Sequence, residues 1–376
     1  MLKIEERLQQ KLIKRKNQSN LRTLSISHEG IDFFSNDYLG LARSQALAAR
    51  IQEQFSRLKP ISNGSTGSRL LSGNTQYAME LESELAIRYK AGKVLLFNSG
   101  YTANLALIST IPQKGDTIIY DQLSHACIKE AARLSLAGYF SFHHNDPDDL
   151  IKKLIKAKGT KFVVVESLYS MDGNFSPIDQ LIDICNQYKA HLIVDEAHTS
   201  GWIGQGGGGL VVDRDMEQQV LARVHTFGKA LGVHGACVAG PSWLIDYLIN
   251  FARPFIYTTA LPMHSLVAIK CAHEHIDQHL ELAEKLVSNI AYYGEALKQL
   301  ENKVPYNEHS PIQKIILGGN DTTVEAAAVL MDHGLNALAV LPPTVKKAAS
   351  RIRICLHAHN SKQQLDQLVK ALSLII

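Results

Sequence analysis

Asp195, Glu196 and His198 stand together in the stretch DEAH, and Lys229 follows after the next strand candidate. Such a set supports two chemistries. In a nucleotide-hydrolysing motor Asp195 and Glu196 would hold magnesium, and a GxxxxGK[ST] loop would have to cradle the phosphates. This chain carries no such string: Gly92-Lys93 runs into Val94, and Gly228-Lys229 runs into Ala230. The motor reading fails there. The second chemistry sets Asp195 against the nitrogen of a pyridine ring and His198 against its phenolic oxygen. Lys229 would then be the amine that binds the ring's carbonyl carbon. Its setting, Thr226-Phe227-Gly228-Lys229, offers a tight turn and a hydroxyl for a phosphate oxygen.

These residues must be held by something rigid. From about 93 to 241 short apolar runs alternate with helical patterns: KVLLF (93–97), DTIIYD (116–121), KFVVVES (161–167), HLIVDEA (191–197), VHTF (224–227) and ACVAG (236–240). The runs are β-branched and nearly continuous in hydrophobicity, as strands buried on both faces of a mainly parallel sheet are. Strand–helix alternation predicts a layered α/β domain. Asp195 and Lys229 fall at strand ends, where open α/β sheets bind ligands.

Beyond Pro262 the spacing of Leu282, Leu286, Ile290 and Leu297 predicts one long spine helix over roughly 265–300. A strand, a helix, the strand RIRICL and a terminal helix complete a smaller α+β part. The expected division is an N-terminal helix and arm over 1–40, a large α/β domain over 41–265, and a spine and small domain over 266–376. Leu8 and Leu12 lie one turn apart, so the arm should hold a short amphipathic helix that packs on the body or on a partner subunit. The GGGG at 206–209 reads most simply as a mobile turn, with a loop pressed close to a ligand as the functional alternative.

Composition removes other classes. The formal charge is +3, from 39 basic and 36 acidic residues without a basic block, which does not favour nucleic acid. Five cysteines (127, 185, 237, 271 and 355) are scattered and never spaced CxxC, so neither a disulfide framework nor a zinc knuckle is expected. The N-terminal stretch lacks the apolar core of a signal peptide, and no apolar run is long enough to span a bilayer. A soluble cytoplasmic protein is the expectation. His273 and His275 do not share a helix face. His357 and His359 share a strand face without an evident third ligand, so no metal site is expected.

The ordered landmarks FFSNDYLG (33–40), GSTGSRLLSGN (64–74), NSGYTAN (98–104), DQLSHA (121–126), ESLYSMDGNFSPI (166–178), DEAHTSGWIG (195–204), HTFGKALGVHGA (225–236), FARPFIYTTALP (251–262) and RIRICL (351–356) cover nearly the whole chain. Together they resemble the α-oxoamine synthases, a family of fold-type-I pyridoxal-phosphate enzymes that joins an amino acid to an acyl-CoA with loss of CO₂. The resemblance implies pyridoxal 5'-phosphate held by Lys229, which would also act on the substrate α-proton. Asp195 would pair with the pyridine nitrogen, an opposite charge that favours the protonated ring by about 1–3 pKa units. His125 would stack over the ring and His198 would meet its phenolic oxygen, with Ser170 nearby.

Ser99, Gly100 and Tyr101 open a helix directly after a strand, where free amides and the helix dipole suit a phosphate. Thr226 would add a contact. Thr258 and Thr259 match positions from which, in relatives, a neighbouring subunit completes the cradle, which implies a homodimer with shared active sites. Arg351 matches the family's carboxylate-binding arginine, with Arg353 second; Asn36 would assist and Arg22 would reach the acyl end. L-alanine and pimeloyl-CoA are the substrates favoured by TFGKALGVHGA and FHHND. Glycine with acetyl-CoA and serine with a long acyl-CoA are the sibling pairs, and an inactive scaffold subunit is a reading of another class. The chain departs from the family at PPTVKKAASR (342–351), where relatives usually have PPTVPxGxxR, and this places the acyl substrate in question.

Overall fold

The computed structural model describes residues 3–24, 29–59, 61–300 and 304–376. Its strands, in chain order, are β1 (Ile31–Asp32), β2 (Lys93–Phe97), β3 (Thr117–Asp121), β4 (Gly138–Phe142), β5 (Lys161–Glu166) and β6 (Ala190–Asp195). They continue with β7 (Ala222–Thr226), β8 (Ala236–Gly240), β9 (Ile312–Gly318), β10 (Leu335–Asn336), β11 (Leu338–Val340) and β12 (Ser350–Cys355). The chain divides into two compact units. The larger comprises Leu39–Ser170 and Asn174–Ala283, the smaller Met1–Tyr38, Met171–Gly173 and Glu284–Ile376.

The larger unit is built on a seven-stranded sheet of order β2-β8-β7-β6-β5-β3-β4. Only β8 runs against its neighbours; the other pairs are parallel. Alternate residues of one strand face opposite layers. Val163 and Val165 of β5 join Leu192 and Val194 of β6 in one core, with Leu150, Leu181 and Ile182 from helices. Val164 and Ile193 enter the other core, with Ala103, Leu107 and Ile128. Two apolar layers explain the unbroken hydrophobic strands. The six runs read from the sequence all appear as strands; β4 was not among them. It is an edge strand with Gly138 and Tyr139 exposed, so it needs no continuous apolar run.

The smaller unit carries an antiparallel sheet of order β11-β12-β9 and a parallel β1–β10 pair. Helices Asn320–Asp332 and Lys362–Leu372 accompany them, the second opened by a capping box of Ser361 and Gln364. The expected single spine is two helices, Met263–Gln278 and Glu281–Leu297, because His279 leaves helical geometry at φ −133, ψ 58. No proline or glycine marks that break, so the apolar spacing ran across it. Residues 266–283 group with the larger unit instead of starting the smaller one. The arm does form a helix, Lys3–Asn17, but none of its side chains is buried, and Leu8 and Leu12 are exposed. Among the described residues no helix is long and apolar enough to cross a membrane.

Candidate active site

Three strand ends of the larger unit gather the chemistry. Asp195 closes β6, Glu166 closes β5 directly opposite it in register, and Thr226 closes β7. Asp195 is buried; its Oδ2 accepts from Asn104 Nδ2 at 2.7 Å and its Oδ1 from the Ala197 amide at 2.8 Å. Asn104 also donates to the Gly100 carbonyl, so one side chain ties Asp195 to the head of the helix Gly100–Thr110. His198 is buried and places Nε2 2.7 Å from Lys229 Nζ. The structure thus brings Lys229 and His198 together and places Asp195 at the end of β6.

Glu196 does a different job from its neighbour. Fully buried, it accepts from the Leu210 and Val211 amides at 3.0 and 2.8 Å and from the Thr199 hydroxyl, capping the short helix Leu210–Asp213. Both of its oxygens are engaged in holding that helix and its own turn. The glycine run is a consequence. A Cβ on Gly209, at φ +93, would lie 2.8 Å from the Glu196 carboxylate, and one on Gly207 would lie 2.6 Å from Gly201 Cα. The run is demanded by close approach and pinned by hydrogen bonds such as Gly201 N–H to the Gly207 carbonyl, so it is not the simple loose turn expected.

At the phosphate end, Ser99 caps the helix in a reciprocal box with Thr102: each side chain accepts from the other's amide, at 3.2 and 3.1 Å. The Ser99 hydroxyl is thus occupied by capping, and the first-turn amides remain the natural anion donors. Gly100 faces Thr226 so closely that a Cβ would fall 2.1 Å from Thr226 Oγ1. A cup with a hydroxyl at its wall and bare backbone at its floor is a shape a phosphate fits. Tyr101 contributes backbone; its ring is exposed and its hydroxyl meets Glu130. Asn98 Nδ2 donates to Thr258 Oγ1 at 3.3 Å and to the Thr259 carbonyl at 3.0 Å, which puts both threonines beside this same strand end.

His125 caps the helix Ala126–Leu134. Its Nδ1 accepts from the Cys127 amide at 3.3 Å and lies 2.9 Å from Cys127 Sγ, an arrangement that leaves Nε2 to carry the ring proton. Burial lowers the imidazole pKa, as do Lys229 and Lys129, against an upward pull from Asp195. Its backbone N–H donates to Glu166 Oε1 at 2.5 Å. Ser170 is buried and its amide also serves Glu166. Sequence reasoning missed Asn104 and Glu166. Each left a trace: a polar residue inside the apolar helix stretch ANLALIST, and an acid ending an apolar strand as Asp195 does.

The residues assigned to substrate lie in the smaller unit, where the two arginines of β12 differ. Arg351 is buried in an ion pair with Asp172 at 2.7 Å and also donates to the Ala349 and Met171 carbonyls. Burial works to raise Asp172, but Lys314 and Arg351 outweigh it and hold the carboxyl below its ordinary range. Arg353 Nη2 instead donates to Asn36 Oδ1 at 2.9 Å. So the arginine beside Asn36 is Arg353, while Arg351 is committed to Asp172. Arg22 donates to Thr344 Oγ1 at 2.8 Å within the altered 342–351 stretch. There Ala348 adopts φ +61, the left-handed conformation glycine favours, at the position where relatives have glycine.

Asp32, His357 and His359 bring ligand-type atoms within 4.8 Å of one another. Asp32 is thus the third ligand-type group that the sequence did not reveal beside the two histidines. It also accepts from the Phe34 and Ser35 amides and the Ser35 hydroxyl, and the two imidazoles lie stacked.

The chain belongs to the aminotransferase class I and II family, whose sequence profile matches residues 28–372, and within it to the α-oxoamine synthases. It is 38% identical to an 8-amino-7-oxononanoate synthase of Emericella nidulans, covering 98% of this chain and 95% of that protein. An 8-amino-7-oxononanoate synthase of Cellvibrio japonicus is 36% identical, over 98% and 93%. Among solved structures, serine palmitoyltransferase from S. paucimobilis with bound PLP and myriocin superposes with a TM-score of 0.89 at 25% identity, over 98% and 96%. The 8-amino-7-oxononanoate synthase of Francisella tularensis gives 0.78 at 29% identity, over 92% and 96%.

Proposed function

We propose that this protein uses pyridoxal 5'-phosphate to condense L-alanine with pimeloyl-CoA, giving 8-amino-7-oxononanoate, CoA and CO₂. The observation that carries the reading is the Lys229–His198 contact at 2.7 Å beside an Asp195 fixed by Asn104, with the Gly100–Thr226 cup along the same edge. Those groups fit an amine-reactive carbonyl, a ring nitrogen and a phosphate. When bound, the cofactor supplies the electron sink for a substrate carbanion. Lys229 takes and returns the α-proton. His198 orients the Lys229 amine and would meet the cofactor's phenolic oxygen, with Ser170. Asp195 would pair with the ring nitrogen, and His125 would hold the ring with its Nε2–H available. The Gly100 and Tyr101 amides and the Thr226 hydroxyl would hold the phosphate, with Ser99 capping the helix that presents those amides. Thr258 and Thr259 of a neighbouring subunit would complete that cradle, so a homodimer with shared active sites in the cytoplasm is part of the reading.

The substrate carboxylate is assigned to Arg353 with Asn36, in place of Arg351. A planar fork binding a carboxylate through two parallel bonds is what an arginine there supplies. Replacing Arg353 by alanine should raise the KM for the amino acid by about 10²-fold, the scale of losing one partner of a desolvated charge pair. Arg351→Ala should act on the fold instead, costing about 1–3 kcal/mol, because Lys314 still partners Asp172 while the Ala349 and Met171 carbonyls lose their donor. Initial-rate kinetics and denaturant titration of both variants separate the two; a KM effect confined to Arg351→Ala would restore the first assignment.

The test of the function is thiol release with three substrate pairs. L-alanine with pimeloyl-CoA should exceed glycine with acetyl-CoA and serine with palmitoyl-CoA. The fold likeness to serine palmitoyltransferase makes serine with a long acyl-CoA the second reading. A preference for that pair would keep the machinery and move the substrate, with the 342–351 loop as the first place to look.

A further inference from the structure

Glu166 has no part in the chemistry above, yet it is more enclosed than Asp195 or His198, 2% exposed at the end of a central strand. Register places it opposite Asp195 on the neighbouring parallel strand, and residues so paired send their side chains to the same face. Two buried carboxyls on one face resist being charged together. The groups around Glu166 are Asp195 from β6, Lys229 beyond β7, His125 and Cys127 at the head of their helix, and Tyr169 just past β5. Its Oε1 receives the His125 amide at 2.5 Å.

We propose that Glu166 is a positioning residue that carries the proton of the Asp195–Glu166 pair. It leaves the single negative charge to Asp195, where the ring nitrogen is read to sit, and it fixes the backbone of His125 under the imidazole. The inference rests on the roles given to Asp195 and His125 above. Burial first, then Asp195, push Glu166 up to about 8, against Lys229 and the His125 and Ser170 amides. A neutral acid here resolves a conflict built into the strand ends. An ionised Glu166 would compete with Asp195 for the same positive charge.

The consequence is readable without turnover. An acid whose folded pKa is raised contributes stability that is fully present below its unfolded value and is lost as pH rises to the folded value. Between the ordinary 4.5 and about 8, the folded state therefore holds about one proton more than the unfolded chain. The folding constant of the wild type relative to Glu166→Gln should fall about tenfold per pH unit across that window. Full-length protein is measured with cofactor bound and after its removal. Superimposable pH profiles for the two proteins would overturn the proposal.

A second arm reads position. Glutamine keeps the reach and neutrality of a protonated glutamate, whereas Glu166→Asp keeps the acid and withdraws it by one carbon. E166Q should retain about tenfold more kcat than E166D, given how steeply rates depend on sub-ångström placement; the reverse order means Glu166 acts as an anion. If E166Q does not fold, the wild type decides. Infrared difference spectra between about pH 6 and pH 9 must lose the carbonyl band of one buried carboxylic acid. Its absence would sink the proposal. Because the stability and infrared arms need no substrate, their failure is distinct from a failure of the proposed reaction.

Discussion

Lys229→Ala should abolish both turnover and the visible absorbance of covalently held cofactor. Lys229 is half-buried on the loop after β7, with Nζ 2.7 Å from His198 Nε2, and it lies outside the two apolar cores of the larger unit. The fold should therefore survive while the chemistry does not. Removing the group that both anchors the cofactor and moves the proton should lower kcat by at least about 10⁴-fold, as losses of directly reacting groups do. Absorbance spectra of protein incubated with pyridoxal 5'-phosphate, alongside thiol release, check both halves. A variant that keeps colour and turnover would remove Lys229 from the mechanism, and with it the reading of the strand ends.

Asp195→Asn is the second large effect. The substitution preserves volume but replaces an acceptor oxygen by a donor in a pocket where Asn104 Nδ2 and the Ala197 amide both point inward. One of those donors then faces another donor, and the ring nitrogen loses its anionic partner. Losing one preorganised electrostatic partner costs about 10²–10³-fold in rate. Exchange of the alanine α-proton for deuterium, followed by NMR, isolates the step Asp195 serves. Unchanged exchange in the variant would assign Asp195 to structure alone.

Much of this was legible along the chain because the larger unit writes its fold locally. Strands buried on both faces must be apolar throughout, so KFVVVE and HLIVD announced themselves, and an acid ending such a run stood out as Asp195. Glu166 carried the same mark and was passed over, since nothing in sequence tells that β5 and β6 are neighbours in register. The missed β4 and the broken spine have a similar origin. An edge strand can be polar, and His279 ends a helix without proline or glycine.

The types and order of the chemical groups were determined by the sequence itself: a lysine after a strand, a histidine three residues past an aspartate, a serine and glycine opening a helix. Only the tertiary structure decided how they divide the work. Glu196 and Asp195 are adjacent in sequence, yet one caps a helix and the other faces the site, because a strand end turns successive side chains in opposite directions. Arg351 and Arg353 share a strand face, and only their neighbours separate them: Asp172 takes the first and Asn36 meets the second. A charge's role is fixed by the nearest opposite charge or hydrogen-bond partner in space. That partner comes from a distant part of the chain, where no local pattern points to it.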